Sequence, residues 1–322
     1  MEKPTLPHRG VAVLVPCYNE EKTIAKVVRD FQAVLPGAVV YVYDNNSRDR
    51  TSEMAREAGA VVRAVPRQGK GNVVRRMFAD IEADVYLLVD GDDTYEATSA
   101  PALVERLVAE QLDMVVGTRF GAFEEAAFRA GHQFGNSLLT GFVGLIFGSS
   151  FTDMLSGYRA FSRRYVKSFP ALAQGFETET ELTVHALELR MPIAEVETPY
   201  RARPAGSLSK LRTYRDGFRI LRMIITLFRE ERPLLFFGLC FALLAISALI
   251  LTYPVLITYL ETGLVPRFPT AILATGMMIL AFLSLASGFI LDTVTRGRLE
   301  MKRLSYLAIP AVGNGPAPGG PR

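Results

Sequence analysis

Two carboxylates separated by one glycine, Asp90 and Asp92, stand directly after a wholly apolar run, Val85 to Val89. A second acidic group, Asp44-Asn45-Asn46-Ser47 with Asp49 and Thr51 close behind, follows another apolar run, and Glu20 closes Val15-Pro16-Cys17-Tyr18-Asn19-Glu20 after a third. Acids delivered together suit a hard divalent cation, Mg²⁺ or Mn²⁺, held by one or two carboxylates while phosphate oxygens and water complete its shell. Such an ion offsets the charge that builds on a diphosphate leaving group. Asp93 or Asp49 alone serves equally well as a helix N-cap. Asp90 and Asp92, behind an apolar strand, suit that role much less.

The elements that must hold these acids are legible as alternating patterns. Val11 to Val15, Val39 to Tyr43, Val61 to Ala64, Val85 to Val89 and Met114 to Val116 read as strands buried on both faces, as in a mostly parallel sheet. Between them Ile24, Val27, Val28, Phe31 and Val34 recur at helical spacing behind Asn19, taken as the N-cap, and Val73, Val74, Met77, Phe78 and Ile81 do the same. Strand, helix, strand is the repeat, so the domain is expected to be α/β with its working loops at the strands' C-terminal ends. The first strand ends without a glycine-rich turn, which argues against a nicotinamide or flavin cofactor.

Hydrophobic residues make up 49% of the 322-residue chain, high for a protein living only in water. No charged residue stands between Arg232 and Glu261, nor between Arg267 and Asp292, and each run exceeds the roughly 20 residues a helix needs to cross a bilayer. Basic residues flank the pair on both outer sides: Arg222, Arg229 and Arg232 before, Arg296, Arg298, Lys302 and Arg303 after. The positive-inside rule therefore predicts both flanks in the cytosol, in a cell (inner) membrane, with both termini cytosolic. Leu211, Tyr214, Phe218, Leu221, Ile225 and Phe228, among arginines, predict an amphipathic helix in the headgroup layer. The expected division is a cytosolic domain over residues 1–208, the amphipathic helix over 209–232, two spans over 233–292, and a cytosolic tail over 293–322 whose Gly- and Pro-rich end is disordered. A net charge of +3 does not argue for nucleic acid as a partner, Cys17 and Cys240 make neither a disulfide framework nor a zinc site, and the N-terminus lacks the apolar region of a signal peptide.

With these residues in place, the chain resembles the family 2 glycosyltransferases of GT-A fold, and within them the polyprenyl-phosphate sugar synthases of the dolichol-phosphate mannose synthase and bactoprenol glucosyltransferase type. The likeness runs from about Val11 to Leu211, and the two C-terminal spans match membrane-anchored members. It implies that Pro16, Tyr18 and Glu20 begin a nucleotide site, that Asp44 contacts base or ribose, that Gly69-Lys70-Gly71 approaches the nucleotide, and that Asp90 and Asp92 hold metal and donor. It further implies an acceptor-phosphate role for Arg119 in Gly117-Thr118-Arg119-Phe120, with Arg129, His132 and Asn136 preceding an acceptor segment, Leu138 to Phe147. Asp153-Met154-Leu155-Ser156-Gly157-Tyr158-Arg159 is a close match, and Glu181 falls where the family has glutamate. Arg203 with Ser209 and Lys210 resembles a basic segment that closes over the diphosphate; one extra residue leaves Arg201 or Arg203 to face it. Asp93-Thr94 departs from the family's usual leucine-glutamine, so the third metal contact is left to Asp93, Glu179 or water.

The reaction implied is transfer of a sugar from a UDP- or GDP-linked donor to a polyprenyl (undecaprenyl- or dolichyl-type) phosphate, by one in-line displacement with inversion. A lipid phosphate is largely dianionic at neutral pH and needs no strong general base. The rivals are a sugar or protein hydroxyl acceptor, which would need Glu179 or Glu181 as base, and a non-catalytic membrane scaffold that binds nucleotide sugar. Oligomeric state stays open, a homo-oligomer included.

Overall fold

A computed structural model gives the fold and describes residues 10–120, 140–145, 147–148, 151–170, 178–201 and 213–312. Seven strands form one sheet in the order β3-β2-β1-β4-β6-β5-β7: β1 Val11–Cys17, β2 Val39–Asp44, β3 Val61–Ala64, β4 Val85–Leu88, β5 Met114–Phe120, β6 Arg159–Ser162 and β7 Ile193–Pro199. Only β6 runs against its neighbours, β4 and β5, so the sheet is mostly parallel, as expected. The C-terminal ends of β2, β1, β4 and β5 consequently share one edge.

Helices cover both faces with the apolar stripes read from the sequence. In α1 (Ile24–Val34) Ile24, Val27, Val28 and Phe31 are buried, and in α3 (Lys70–Asp80) Val73, Val74, Met77 and Phe78 are. A fully buried side chain of this size stabilises the fold by roughly 1.5–3 kcal/mol. Between these helices lies α2 (Thr51–Glu57), and α4 (Ala100–Ala109), α5 (Arg163–Ser168) and α6 (Thr178–Glu188) follow. Two expectations need correction. Asn19 is not the N-cap of α1: Thr23 holds that position, while Asn19 sits in the turn before it at φ 55°. And β3 is not buried on both faces, because it is the outer strand of the sheet, with Val61 41% exposed.

The chain divides into two compact units, Met1–Phe218 with Lys302–Arg322, and Arg219–Met301. The first carries the sheet. Within it Asp113, wholly buried ahead of β5, accepts from Ser162 Oγ, from Arg164 Nε and Nη2, and from Tyr306 Oη at 2.7 Å. Lys302 pairs with Glu188, the Arg164 guanidinium lies over the Tyr306 ring, and Val312 joins the core. The segment after Met301 is thus packed into the unit that carries the sheet.

In the second unit lie α8 (Pro233–Thr262) and, up to Met301, α9 (Phe268–Leu307), both long and apolar enough to cross a bilayer, at about 1.5 Å per residue. They meet through small residues. A Cβ on Gly288 would come 3.0 Å from Phe237 Cβ, Ser284 Oγ donates to Phe237 O, and Ala248, Ala274 and Ala281 are buried. The preceding helix, α7 (Thr213–Glu231), exposes Leu221 and Ile225.

Candidate active site

The loops after β1 and β2 are laced together by side chains that cap each other's backbone. Asn19 N donates to Ser47 Oγ, Asn19 Oδ1 accepts from Arg48 N, and Glu20 N donates to Thr51 Oγ1, each at 2.8 Å. Asp44 at the end of β2 accepts from Ser47 N at 3.0 Å and from Ser52 Oγ at 2.6 Å, so both of its oxygens are directed by the loop that follows. Asp49 takes the plain structural role, accepting from Thr51 N and Glu21 N. Pro16, on β1 opposite Tyr43, and Tyr18 and Glu20 beyond it line this edge half-buried.

Asn45, which composition and spacing did not single out, places Lys70. Its Nδ2 donates to Val65 O and Arg67 O, and its Oδ1 accepts from Gly69 N at 2.7 Å, fixing the turn before α3. Gly69 stands at φ 124°, a conformation that side chains other than glycine's rarely adopt. Lys70 is therefore delivered on a set turn to the first residue of α3. Its Nζ lies 2.5 Å from Asp90 Oδ1 and 2.5 Å from Glu179 Oε1. Burial alone would lower the Lys70 pKa, but the charges of Asp90 and Glu179 outweigh it and raise it, so the ammonium is charged.

The pair of acids at the end of β4 is shaped by its glycine. A Cβ on Gly91 would stand 2.6 Å from Cys17 Sγ, and Thr23 Oγ1 donates to Gly91 O at 2.7 Å. Asp92 is buried and accepts from Thr94 Oγ1 at 2.6 Å. Asp93, at φ 59°, pairs instead with Lys26 on α1 at 2.7 Å. Of the two acids weighed beside Asp90 and Asp92, the structure brings Glu179 to Asp90 through Lys70 and turns Asp93 to a surface lysine. Among the described residues no three His, Cys, Asp or Glu side chains gather into a metal shell by themselves. The site nevertheless suits a divalent ion completed by diphosphate. Asp90 and Asp92 offer hard carboxylate oxygens of the kind such an ion takes, and Gly157 backs Asp90 so closely that a Cβ there would lie 2.5 Å from Asp90 Oδ2.

Tyr95, directly after Asp93-Thr94, ties this centre to the loop that carries Gly157. Its hydroxyl accepts from Gly157 N at 2.9 Å, and its ring packs on Tyr158 and Tyr200. Burial raises the phenol's pKa, which keeps it neutral. Over the Tyr200 ring, 5.6 Å from its centroid, lies the Arg119 guanidinium. Arg119 makes two parallel donations to Asp153, Nε to Oδ2 at 2.6 Å and Nη2 to Oδ1 at 2.7 Å. Burial lowers its pKa, but the Asp153 hydrogen bonds more than compensate. Asp153 is itself set by Glu195 on β7, whose carboxylate accepts from Thr152 N, Thr152 Oγ1 and Asp153 N. Behind them the wholly buried Arg159 donates to Met154 O, Ser156 O and Thr183 Oγ1, clamping the loop that carries Gly157 onto α6.

Arg201 pairs with Glu96, and its N–H donates to Thr94 O. Arg129, His132, Asn136, Arg203, Ser209 and Lys210 lie outside the described residues, as does most of residues 171–180 ahead of α6. Sequence reasoning missed Asn45, Glu195 and Arg159 as positioning residues. Only Arg159 carried a signal, as the end of a motif.

Residues 12–169 match the model of Glycosyl transferase family 2. Glycosyltransferase AglJ of Haloferax volcanii is 37% identical over 230 residues, which is 71% of this chain and 75% of that protein. A dolichyl-phosphate hexose transferase of the same organism is 30% identical over 222 residues, 69% of this chain and 95% of the relative. Among solved structures, the Mycobacterium tuberculosis glucosyl-3-phosphoglycerate synthase in complex with Mn²⁺, UDP-glucose and phosphoglyceric acid aligns with a TM-score of 0.56 at 26% identity, covering 69% of this chain and 79% of that one.

Proposed function

Because the chain belongs to glycosyl transferase family 2, we propose that it moves a sugar from a UDP- or GDP-linked donor to a polyprenyl phosphate at the cytosolic face of a membrane, with inversion. The supporting observation is a continuous set of contacts joining two charge centres at one sheet edge. Asp90 and Lys70 abut Gly157, Gly157 donates to Tyr95, Tyr95 packs on Tyr200, and Arg119 lies over Tyr200. Two anionic partners, a diphosphate and a phosphate, each find a cationic group there.

In this reading Asp90 and Asp92 hold a Mg²⁺ or Mn²⁺ ion, which when bound supplies charge neutralisation to the departing diphosphate. Pro16, Tyr18, Glu20 and Asp44 receive the nucleotide, and Lys70, Arg203, Ser209 and Lys210 attend its phosphates. Arg119, with Arg129, orients the acceptor phosphate, whose dianion attacks without a protein base. The basic flanks of α8 and α9 favour a cytosolic position for the catalytic unit and both termini. The relative named for dolichyl-phosphate hexose transfer supports the acceptor class, and the neighbour bound to Mn²⁺ and UDP-glucose supports the metal and the nucleotide-sugar donor.

Purified protein offered a polyprenyl phosphate and, separately, a sugar or peptide hydroxyl tests the acceptor. Transfer to the lipid phosphate is expected; transfer only to the hydroxyl would overturn the assignment and make Glu179 or Glu181 the base to examine.

A further inference from the structure

Lys70 occupies Asp90 in a way the reaction outlined above does not use. Its side chain is 14% exposed and spans two carboxylates that come from opposite sides of the site, Asp90 after β4 and Glu179 in the first turn of α6. At 2.5 Å the ammonium engages Asp90 Oδ1 directly. Gly157 closes in beside both groups: a Cβ there would lie 3.2 Å from Lys70 Nζ as well as against Asp90 Oδ2. An ammonium and a divalent ion brought to the same carboxylate oxygen repel each other and compete for its lone pairs, so each weakens the other's hold there. Glu179, 7% exposed in its side chain, keeps a claim on Lys70 whatever happens at Asp90, because a buried carboxylate left without a cation is strongly disfavoured.

We propose that Lys70 is the resident counter-ion of Asp90 while the donor site is empty, and that a divalent ion enters only by displacing it onto Glu179 and the donor's diphosphate. The inference rests on Asp90 and Asp92 being the metal site, and it deepens that reading by assigning the coupling between metal and donor. A metal ion arriving alone strips Lys70 of one partner and offers none in return. Arriving with a diphosphate, it gives the displaced ammonium a new anion, so metal and nucleotide bind cooperatively and each strengthens the other to the same degree. Lys70 then acts as a specificity element as well: it disfavours a metal-loaded site that lacks its donor.

The test is Mn²⁺ binding to the full-length protein in detergent, read from the free-ion electron paramagnetic resonance signal, with Mn²⁺ alone and with added UDP or GDP. For the unaltered protein one of the nucleotides is expected to tighten Mn²⁺ binding by about tenfold or more. Lys70→Met is expected to bind Mn²⁺ alone about tenfold more tightly than the unaltered protein and to lose most of the nucleotide-dependent gain. Lys70→Gln, which keeps a polar amide donor without the charge, should do the same and covers the case in which the methionine variant does not fold. Lys70→Arg, which keeps the charge, should leave Mn²⁺ alone weakly bound. Unchanged or weaker binding of Mn²⁺ alone by folded Lys70→Met or Lys70→Gln overturns the proposal, because a lysine that only held the diphosphate would give that result. No Mn²⁺ binding to the unaltered protein under any condition overturns the metal reading beneath it. Failure of polyprenyl phosphate as acceptor leaves these titrations untouched, so the two readings fail separately.

Discussion

The Arg119 guanidinium is aimed before any substrate arrives, because Asp153 takes two of its donors in parallel and Glu195 fixes Asp153. A fork of this kind matches a second carboxylate or phosphate through the donors left over, which a lysine cannot imitate. Arg119→Lys is therefore expected to raise the acceptor KM about tenfold with the donor KM unchanged, measured by varying each substrate in turn. A rise confined to the donor KM would move Arg119 to the other partner. Residue types were the legible part of this site. Asp90 and Asp92 stand out by chemistry and by position after a strand, whereas Lys70 and Arg119, the latter inside β5, stand out only through the family resemblance. Their partners do not: Asp153 lies 34 residues from Arg119, and Glu179 reaches Lys70 from another helix. Such pairings are made by the sheet order rather than by spacing. Asn45 was hidden for a different reason: between two other polar residues it looks like an ordinary turn asparagine, and only the return of Val65 to Gly69 beside β2 makes it a clamp.

Among the elements, the strands that were easy to see are those with continuous apolar runs. The two that were not have physical reasons. β6 is four residues including Arg159 and Ser162, and β7 alternates Glu195 and Glu197 with apolar residues while remaining largely half-buried. The closing turns of α9 were equally hard to see. The charge-free run stops at Asp292, whereas the helix continues to Leu307, and the segment beyond Met301 completes the polar cluster around Asp113. Deleting residues 302–322 leaves Asp113 and Glu188 each short of a buried partner, at roughly 1–3 kcal/mol per group. The melting temperature of the detergent-solubilised protein is expected to fall by about 5 °C or more, followed by intrinsic fluorescence or light scattering. An unchanged melt would mean that this segment contributes nothing to the catalytic unit.

For the whole molecule, the chain combines a family 2 glycosyltransferase sheet with two helices of membrane-spanning length; motifs carried the first expectation and apolar composition the second. The charge-free runs were legible because a buried helix of that length rarely avoids every charge. The central claim joins the two parts: sugar goes from a nucleotide to a lipid phosphate in the membrane that holds the enzyme. Membranes carrying the protein, incubated with UDP- and GDP-linked sugars labelled in the sugar, test it most directly by whether label enters the lipid extract. The account predicts that one donor labels a polyprenyl-phosphate sugar and that Asp92→Asn membranes, with equal protein present, do not. Label found only on sugar or protein hydroxyls, or an Asp92→Asn protein as active as the original, would contradict it.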